Sequence, residues 1–300
     1  MFYQIVTREG DIILKTIYRK RGSETLFKEA YEKTLYEWDI PFKRLYVQTR
    51  FGKTHVIEGG FHHKETLLLF HGFGFSSTMW KDNIHDLSQH YHVFALDFIG
   101  DVNMSEATKQ VESKQDCADW FRDVLNELQI EKTHILGMSY GGFLACVFAT
   151  LVPEKIDKVI TVSPGATLLK QRRTFFFKSL LAGLFPTARY INKFMDYMCS
   201  EGNQVNQTLK DQFVVAMQNC MPRVKVFASY LTDEELRKIH HSTLLIVGRA
   251  EVQYDPNKAV ERAKSLISSL EVVCITNAGH GVLLEQPEQV NRYILDFLND

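Results

Sequence analysis

The sequence predicts an α/β fold in which helices cover both faces of a mostly parallel, doubly wound sheet. Short apolar runs without polar alternation recur along the chain, as expected for parallel strands that are buried on both faces. These runs cover residues 67–70, 93–96, 134–136, 159–162, 244–247 and 272–275. Segments with the spacing of amphipathic helices lie between them, and residues 117–128 are a clear example. Strand and helix patterns therefore alternate along the chain.

The strand pattern begins with a predicted hairpin. Residues 45–47 and 55–57 are short β-forming runs, and the turn residues 51–53 lie between them. Two such runs joined by a short glycine-containing segment are typical of an antiparallel hairpin.

One interval interrupts the alternation of strands and helices. About 80 residues separate the run that ends near Ser163 from the run that starts near Thr243. An ordinary crossover is far shorter than this. The interval contains apolar or helical stretches at residues 175–185 and 213–217. We therefore predict a helical insert that lies over the sheet.

These features divide the chain into three predicted parts. An N-terminal extension covers residues 1–41, an α/β core covers 42–164 and 242–300, and a helical cap covers 165–241. A helical pattern runs through the extension from about Glu24 to Trp38 and stops before Pro41.

The composition excludes several classes of protein. Hydrophobic residues make up 45% of the 300-residue chain and charged residues 24%, which is typical of a globular protein. The formal net charge of −1 gives no indication of a nucleic-acid partner. Charges interrupt residues 1–9 before an apolar stretch forms, so we expect no signal peptide. No run reaches the ~18 apolar residues that a membrane span requires.

The five cysteines do not form a recognisable metal or disulfide pattern. They are Cys117, Cys146, Cys199, Cys220 and Cys274, and none lies in a CxxC pair. A zinc site is therefore not supported. An odd, scattered set fits reduced thiols and a cytoplasmic location. Cys117, Cys146 and Cys274 lie in apolar stretches, where we expect them to pack in the core.

The clearest motif is the pentapeptide from Gly137 to Gly141, with Ser139 at its centre. An apolar strand precedes it, and a second glycine and a helical run over 143–151 follow it. This order is that of a nucleophile elbow, in which glycines relieve crowding around a serine on a sharp turn. The helix that follows directs positive potential at a developing oxyanion. Ser139 is the predicted nucleophile.

A second glycine-rich loop follows the strand at 67–70. Stabilising a tetrahedral intermediate requires two backbone N–H donors. We expect one from Tyr140, the residue after the nucleophile, and one from Phe73. Gly72 and Gly74 allow the backbone to approach the substrate closely.

His280 is the predicted general base. It lies between two glycines in the loop after the last predicted strand, from which it can reach the carboxyl edge of the sheet. In this position it can accept the proton of Ser139 and return it to the leaving group.

Two carboxylates compete for the role of the acid that orients His280. Both follow the strand at 244–247, which suits the chain order serine, acid, histidine. Asp255 precedes Pro256 and a helical run, so a helix N-cap already accounts for it. Glu251 has no such structural explanation. We favour Glu251 and keep Asp255 as the alternative.

Together these motifs resemble the α/β-hydrolase family over roughly residues 43–300. The matching segments are 71–74, 97–101, the elbow at Ser139, the acid loop at Glu251 and 278–280. The chain is most similar to small esterase-like, haloperoxidase-like and carbon–carbon-bond hydrolases with a helical cap. The resemblance implies an α/β-hydrolase fold with a cap insertion and a reaction that needs no metal or organic cofactor.

The chain also departs from the family's pattern. Glu251 stands where the family usually has aspartate, and the loop at 98–105 lacks the usual Pro-Gly-His-Gly-x-Ser sequence. That loop shapes the mouth of the pocket, so the resemblance does not identify the substrate. Residues 1–41 are additional to the family's core.

These residues predict a serine hydrolase that cleaves a small carboxylic ester, or a related acyl bond, through an acyl-enzyme. Phe75 and Trp80, together with a cluster at Phe175, are candidate residues of an apolar substrate pocket, and core packing is the alternative for each. Carbon–carbon bond hydrolysis and acyl transfer use the same groups and remain alternatives. A slow ligand-sensing or regulatory protein built on this scaffold is a further alternative. The sequence does not indicate an oligomeric state.

Overall fold

The computed structural model describes residues 16–300. Its strands are β1 (Phe42–Thr49), β2 (Gly52–Gly59), β3 (Thr66–Phe70), β4 (His92–Leu96), β5 (Glu106–Ala107), β6 (Thr133–Met138), β7 (Ile156–Val162), β8 (Thr243–Gly248) and β9 (Leu270–Ile275). Its α-helices are α1 (Ser23–Leu35), α2 (Ile84–Ser88), α3 (Lys114–Glu127), α4 (Tyr140–Leu151), α5 (Arg173–Leu184), α6 (Ala188–Met198), α7 (Gln207–Asn219), α8 (Asp233–Arg237), α9 (Pro256–Leu266), α10 (Val282–Glu285) and α11 (Pro287–Asn299). Short 3₁₀ helices cover Ser77–Asp82 and Pro153–Lys155.

The strands form one sheet in the order β1-β2-β4-β3-β6-β7-β8-β9, and β5 pairs with β2. β1 and β2 form the predicted antiparallel hairpin. Strands β4, β3, β6, β7, β8 and β9 are parallel to one another. The six apolar runs in the sequence are these parallel strands, so the predicted mostly parallel, doubly wound sheet is confirmed. Their carboxyl ends share one edge, which is where ligands bind in such sheets.

Two apolar layers cover the sheet. One contains Trp120 and Phe121 of α3 and Phe148 of α4, and the rings of Phe121 and Phe148 stack 4.4 Å apart. The other contains Phe27 of α1 and Ile294 of α11. Because both faces of the central strands are covered, their side chains are apolar without alternation.

The cysteines are free thiols. Cys117 and Cys146 lie in the first apolar layer as predicted, and burial raises the pKa of each to about 12. Cys274 is only half-buried against that layer. An edge strand explains this difference, because β9 has a sheet partner on one side only.

The amino-terminal helix packs tightly onto the rest of the chain. Helix α1 ends at Leu35, three residues before the predicted end at Trp38. Phe27 and Tyr31 on it are fully buried, and the Tyr31 hydroxyl donates to Asp97 of the core over 3.2 Å. The expectation that residues 1–9 are not a signal peptide lies outside the described residues.

Four helices, α5 to α8, occupy the interval between β7 and β8. The two stretches that the sequence marked as apolar or helical lie in α5 and α7. We call residues 165–241 the insert. Among the described residues, no helix combines the length and the apolar character needed to cross a bilayer.

Candidate active site

Ser139 stands at the turn between β6 and α4. Its backbone has φ 53° and ψ −109°, a conformation that residues other than glycine rarely adopt. Its N–H donates to the carbonyl of Val162 over 2.9 Å, and its carbonyl accepts from Gly165 N–H over 2.9 Å. Hydrogen bonds to the neighbouring strand end therefore hold the strained turn in place.

The glycines on either side of Ser139 are required by the packing. A methyl group on Gly137 would overlap the Gly141 carbonyl, and one on Gly141 would overlap the Phe70 carbonyl. The close approach of the two backbones explains the Gly-x-Ser-x-Gly spacing. The elbow geometry predicted from the sequence is therefore present.

His280 lies in the loop that joins β9 to α10. Its Nε2 is 2.9 Å from the Ser139 Oγ. Its Nδ1 is 2.9 Å from both carboxylate oxygens of Glu251. The His280 and Glu251 side chains are almost completely buried, whereas Ser139 is half-buried. The three side chains thus form one line of hydrogen bonds from the interior to an accessible hydroxyl.

Of the two candidate acids, the structure brings Glu251 to His280. Asp255 is the N-cap of α9, where its carboxylate accepts from the N–H groups of Asn257 and Lys258. The Glu251 Oε1 also accepts from Gln253 N–H over 2.7 Å, which fixes the carboxylate within its own loop. The longer glutamate side chain reaches the imidazole from this loop.

Of the predicted oxyanion donors, Tyr140 follows Ser139 directly, and Phe73 follows Gly72 in the neighbouring loop. Neither N–H donates a hydrogen bond within residues 16–300, so both are available to a ligand. The Phe73 ring packs edge-on against the Tyr140 ring, with centroids 5.9 Å apart. Gly72 lies beside Ser139: a methyl group on it would contact the serine Cβ at 3.8 Å.

A buried carboxylate anchors the loop that contains Phe73. Asp101 accepts from the N–H of Gly74 at 3.1 Å and from the N–H of Val102 at 2.8 Å. Burial raises the pKa of Asp101 to about 6, although its hydrogen bonds and the nearby His71 oppose the shift. Gly74 has φ +77°, which places it in the left-handed region and lets its N–H turn toward Asp101.

Aromatic side chains from the core and the insert surround the site. Phe75 is half-buried and stacks on Phe213 of α7, with ring centroids 4.5 Å apart. Phe175 of α5 packs edge-on against the His280 ring at 5.6 Å. Trp80, in contrast, has no accessible surface and lies in the second apolar layer, so it does not line the site. Of the two possibilities that the sequence left open for Trp80, its burial therefore supports core packing.

Sequence reasoning missed a set of contacts that connects the insert to the histidine loop. Glu285 accepts from the N–H of Gly279, the residue before His280, over 2.8 Å. Its other carboxylate oxygen accepts from Ser200 N–H over 2.7 Å. The Gly281 N–H donates to the Met198 carbonyl at 3.1 Å. The pairing of Glu285 with residues about 85 positions away left no local sequence signal.

Gly165, at the start of the insert, was also missed. A methyl group on it would contact the Ser139 Oγ at 3.4 Å and the Ala228 Cβ at 3.5 Å. Gly165 therefore forms a close wall of the site. Among residues 16–300, no group of three or more His, Cys, Asp or Glu side chains is arranged to hold a metal ion.

Comparisons with known proteins agree with this arrangement. Residues 67–293 match the model of the alpha/beta hydrolase family. An uncharacterized carboxylesterase of Bacillus subtilis, nap, is 36% identical over 91% of this chain and 92% of its own. The crystal structure of naproxen esterase from Bacillus subtilis has a TM-score of 0.87 at 33% identity, over 93% of this chain and 99% of that one. That of the Bacillus subtilis carboxylesterase CesB (YbfK) has a TM-score of 0.86 at 32% identity, over 92% and 98%.

This chain belongs to the alpha/beta hydrolase family. The resemblance stated from the motifs and the expected fold class are both confirmed.

Proposed function

We propose that this chain is a carboxylesterase in which Ser139 is the nucleophile, His280 the general base and Glu251 the acid of a catalytic triad. The observation that carries the proposal is the line of 2.9 Å hydrogen bonds from Glu251 through His280 to the hydroxyl of Ser139. The similarity to carboxylesterases over more than nine tenths of the chain supports the same activity.

Acylation begins when the Ser139 Oγ attacks the ester carbonyl carbon. The hydroxyl proton passes to His280 Nε2, which is within hydrogen-bond distance. The ionised Glu251 accepts the hydrogen bond from Nδ1–H and stabilises the imidazolium that forms. When the tetrahedral intermediate collapses, the bond to the alcohol oxygen breaks, and the alcohol leaves with the proton from Nε2. The acyl group remains on Ser139 as an ester.

Deacylation reverses these roles with water. His280 removes a proton from a water molecule, whose oxygen attacks the acyl carbon. The second tetrahedral intermediate breaks at the Ser139 Oγ, which recovers its proton from Nε2. The products are a carboxylic acid and an alcohol.

The amide N–H groups of Phe73 and Tyr140 form the proposed oxyanion hole. Neither donates a hydrogen bond to another residue of the described range 16–300, and both belong to segments that hydrogen bonds anchor at the sheet edge. Donors that are oriented before the reaction stabilise developing negative charge without reorganisation. The Tyr140 N–H is also the first of helix α4, so the helix dipole adds positive potential there.

The surroundings of Ser139 favour a small ester with an apolar part. Phe75, Phe175 and Phe213 contribute apolar surface near the triad, and such surface binds apolar acyl or alcohol groups. The five free thiols fit a cytoplasmic location. The proposed partner is the ester substrate alone, without a nucleic acid.

A fluorophosphonate probe tests the nucleophile. We expect the purified protein to be labelled and Ser139→Ala to be unlabelled. Ser163→Ala is the matched control, because Ser163 also has a positive φ at a strand end, with a buried hydroxyl that has no hydrogen-bond partner in the part of the chain that the structure describes. Labelling that survives in Ser139→Ala, or that disappears in Ser163→Ala alone, would contradict the assignment.

A substrate panel tests the reaction. We expect turnover of short p-nitrophenyl esters that depends on Ser139, with slower or no cleavage of β-diketones. Cleavage of β-diketones in preference to esters would favour carbon–carbon bond hydrolysis. Labelling of Ser139 without turnover of any ester or lactone would favour a ligand-sensing role.

A further inference from the structure

The outer face of helix α5 is apolar and exposed to solvent. Phe177 and Leu184 are 62% and 64% exposed, and Phe185, just after the helix, is 57% exposed. With 100° between successive residues, the exposed apolar side chains of α5 cover an arc of about 140°. These side chains are Phe176, Phe177, Leu180, Leu181 and Leu184. A continuous exposed apolar face of this kind marks an interaction surface.

The opposite face of α5 contacts the active site. Phe175 and Ala182 are buried, and the Phe175 ring packs against His280. The exposed apolar side chains therefore point away from Ser139 and are not part of the substrate pocket. Among the described residues 16–300, no segment covers these side chains, which remain exposed.

Basic residues are frequent in the segment that contains this face, and acidic residues are absent from residues 164–195. Residues 164–195 contain no Asp or Glu, although the whole chain has a formal net charge of −1. Among the described residues, none of the basic side chains in this segment forms a salt bridge. These side chains are Lys170, Arg172, Arg173, Lys178, Arg189 and Lys193.

We propose that the outer face of α5, with the basic residues around it, binds the surface of an anionic lipid bilayer. The inner face of α5 is buried in the protein, so its outer face supplies the apolar area, and the Lys and Arg residues supply the positive charge, that binding to an anionic bilayer requires. The 12 residues of α5 are too few to span a bilayer, so the helix rests on the membrane. This inference concerns binding and does not require the proposed esterase activity.

The charges favour a bilayer over a second copy of the chain. In a twofold dimer the same patch faces itself, so Arg172 and Arg173 at the start of α5 would be brought toward their own copies. Acidic headgroups instead provide the opposite charge, while the acyl region accepts the aromatic and aliphatic side chains. Because α5 also covers His280, a bound membrane would lie close to the entrance of the active site.

Vesicle co-sedimentation tests the proposal with the full chain carrying Ser139→Ala, so that hydrolysis of lipid cannot affect the result. We expect the protein to sediment with vesicles of mixed phosphatidylcholine and phosphatidylglycerol at low salt. Binding should fall at high salt and be weak to phosphatidylcholine alone. Phe177→Ser/Leu184→Ser should lower the binding constant at least about tenfold, since each side chain loses its buried apolar area.

Matched variants separate the contribution of the patch from the general effect of removing a charge or an apolar side chain anywhere on the surface. Arg172→Gln/Arg173→Gln should weaken binding about tenfold or more, whereas Lys33→Gln/Lys64→Gln, at exposed positions elsewhere, should not. Leu26→Ser/Tyr36→Ser is the apolar control, because Leu26 on α1 and Tyr36 just after it are both exposed. The proposal is wrong if anionic vesicles do not bind the protein or if patch and control variants bind alike. A dimer in solution that the patch variants abolish would also overturn it.

Discussion

The carboxyl edge of the sheet and the insert meet at Ser139, and they are built in opposite ways. At the sheet edge, backbones approach so closely that Gly137 and Gly141 cannot carry a side chain. In the insert, a methyl group on Gly183 of α5 would meet no atom within 4 Å. The sheet edge buries Glu251 and His280 almost completely, whereas α5 exposes most of its apolar side chains.

This difference separates two tasks. Proton transfer needs groups held at fixed distances in a dry environment, which the packed ends of parallel strands provide. A surface that meets a substrate or a membrane needs exposed apolar area, which a helix on the outside of the molecule provides. We infer that the sheet edge determines the chemistry and that the insert determines what reaches it.

The largest expected effect concerns the acid at the sheet edge. Glu251→Gln should reduce kcat/KM for a p-nitrophenyl ester about 10³-fold or more, because the amide no longer stabilises the imidazolium. Asp255→Asn should leave kcat/KM within about threefold, since Asp255 caps α9. Steady-state kinetics on both purified variants checks the pair. A collapse of activity in Asp255→Asn alone would reverse the assignment of the acid.

The two regions should respond oppositely to the same substitution. Gly141→Ala should lower the free energy of unfolding by at least about 3 kcal/mol, because its methyl group overlaps the Phe70 carbonyl. Gly183→Ala, near the end of α5, should raise the free energy of unfolding by about 0.5 kcal/mol through helix propensity. Urea unfolding followed by circular dichroism measures both changes. Equal changes in the free energy of unfolding for the two variants would contradict the proposed difference in packing between the regions.

A pH dependence should arise at the sheet edge. Burial raises the pKa of Asp101 from 3.8 to about 6, so the folded state holds this proton more tightly than the unfolded chain does. Stability from this group is present below pH 4 and is lost as the pH rises through about 6. Relative to Asp101→Asn, the parent should therefore lose up to about 3 kcal/mol between pH 4 and pH 7.

Denaturant unfolding of the parent and Asp101→Asn across this pH range measures that difference. Asp97 offers a contrast of opposite sign. Burial acts to raise the pKa of Asp97, but its hydrogen bond and charge pairing with His55, together with His71 and the Ser77 N–H, outweigh burial and lower the pKa. The contribution of Asp97 to stability should therefore be lost as the pH falls. A stability difference between the parent and Asp101→Asn that does not change with pH would contradict the assignment for Asp101.

The smallest expected effect is at the contact between the two regions. Glu285→Gln should reduce kcat about tenfold, because an amide cannot accept the hydrogen bonds from both Gly279 and Ser200 as the carboxylate does. It should also shift the pH profile of kcat/KM, since the loop of His280 loses its anchor. Glu288→Gln is the control at an exposed position. An unchanged pH profile in Glu285→Gln would limit Glu285 to a structural role.

Much of the fold and part of the site could be predicted from local sequence. The parallel strands are short apolar runs and the elbow is a five-residue motif, so both are visible without tertiary contacts. The preference for Glu251 over Asp255 also came from local reasoning, because Pro256 marked Asp255 as a helix cap. For Trp80 the sequence left a pocket position and core packing open, because an apolar residue near a loop looks the same whether it faces the core or a cavity, and its burial in the structure supports core packing.

Ser139 and His280 could be predicted as nucleophile and base from the sequence alone, because each lies in a short glycine-flanked motif that follows a buried strand. Only the tertiary structure decided the distances between them, since the two residues are 141 positions apart. It also decided that Glu285 connects the insert to the histidine loop and that α5 turns Phe175 inward and its other aromatic side chains outward. Such facts depend on how distant segments pack, and no local pattern encodes that packing.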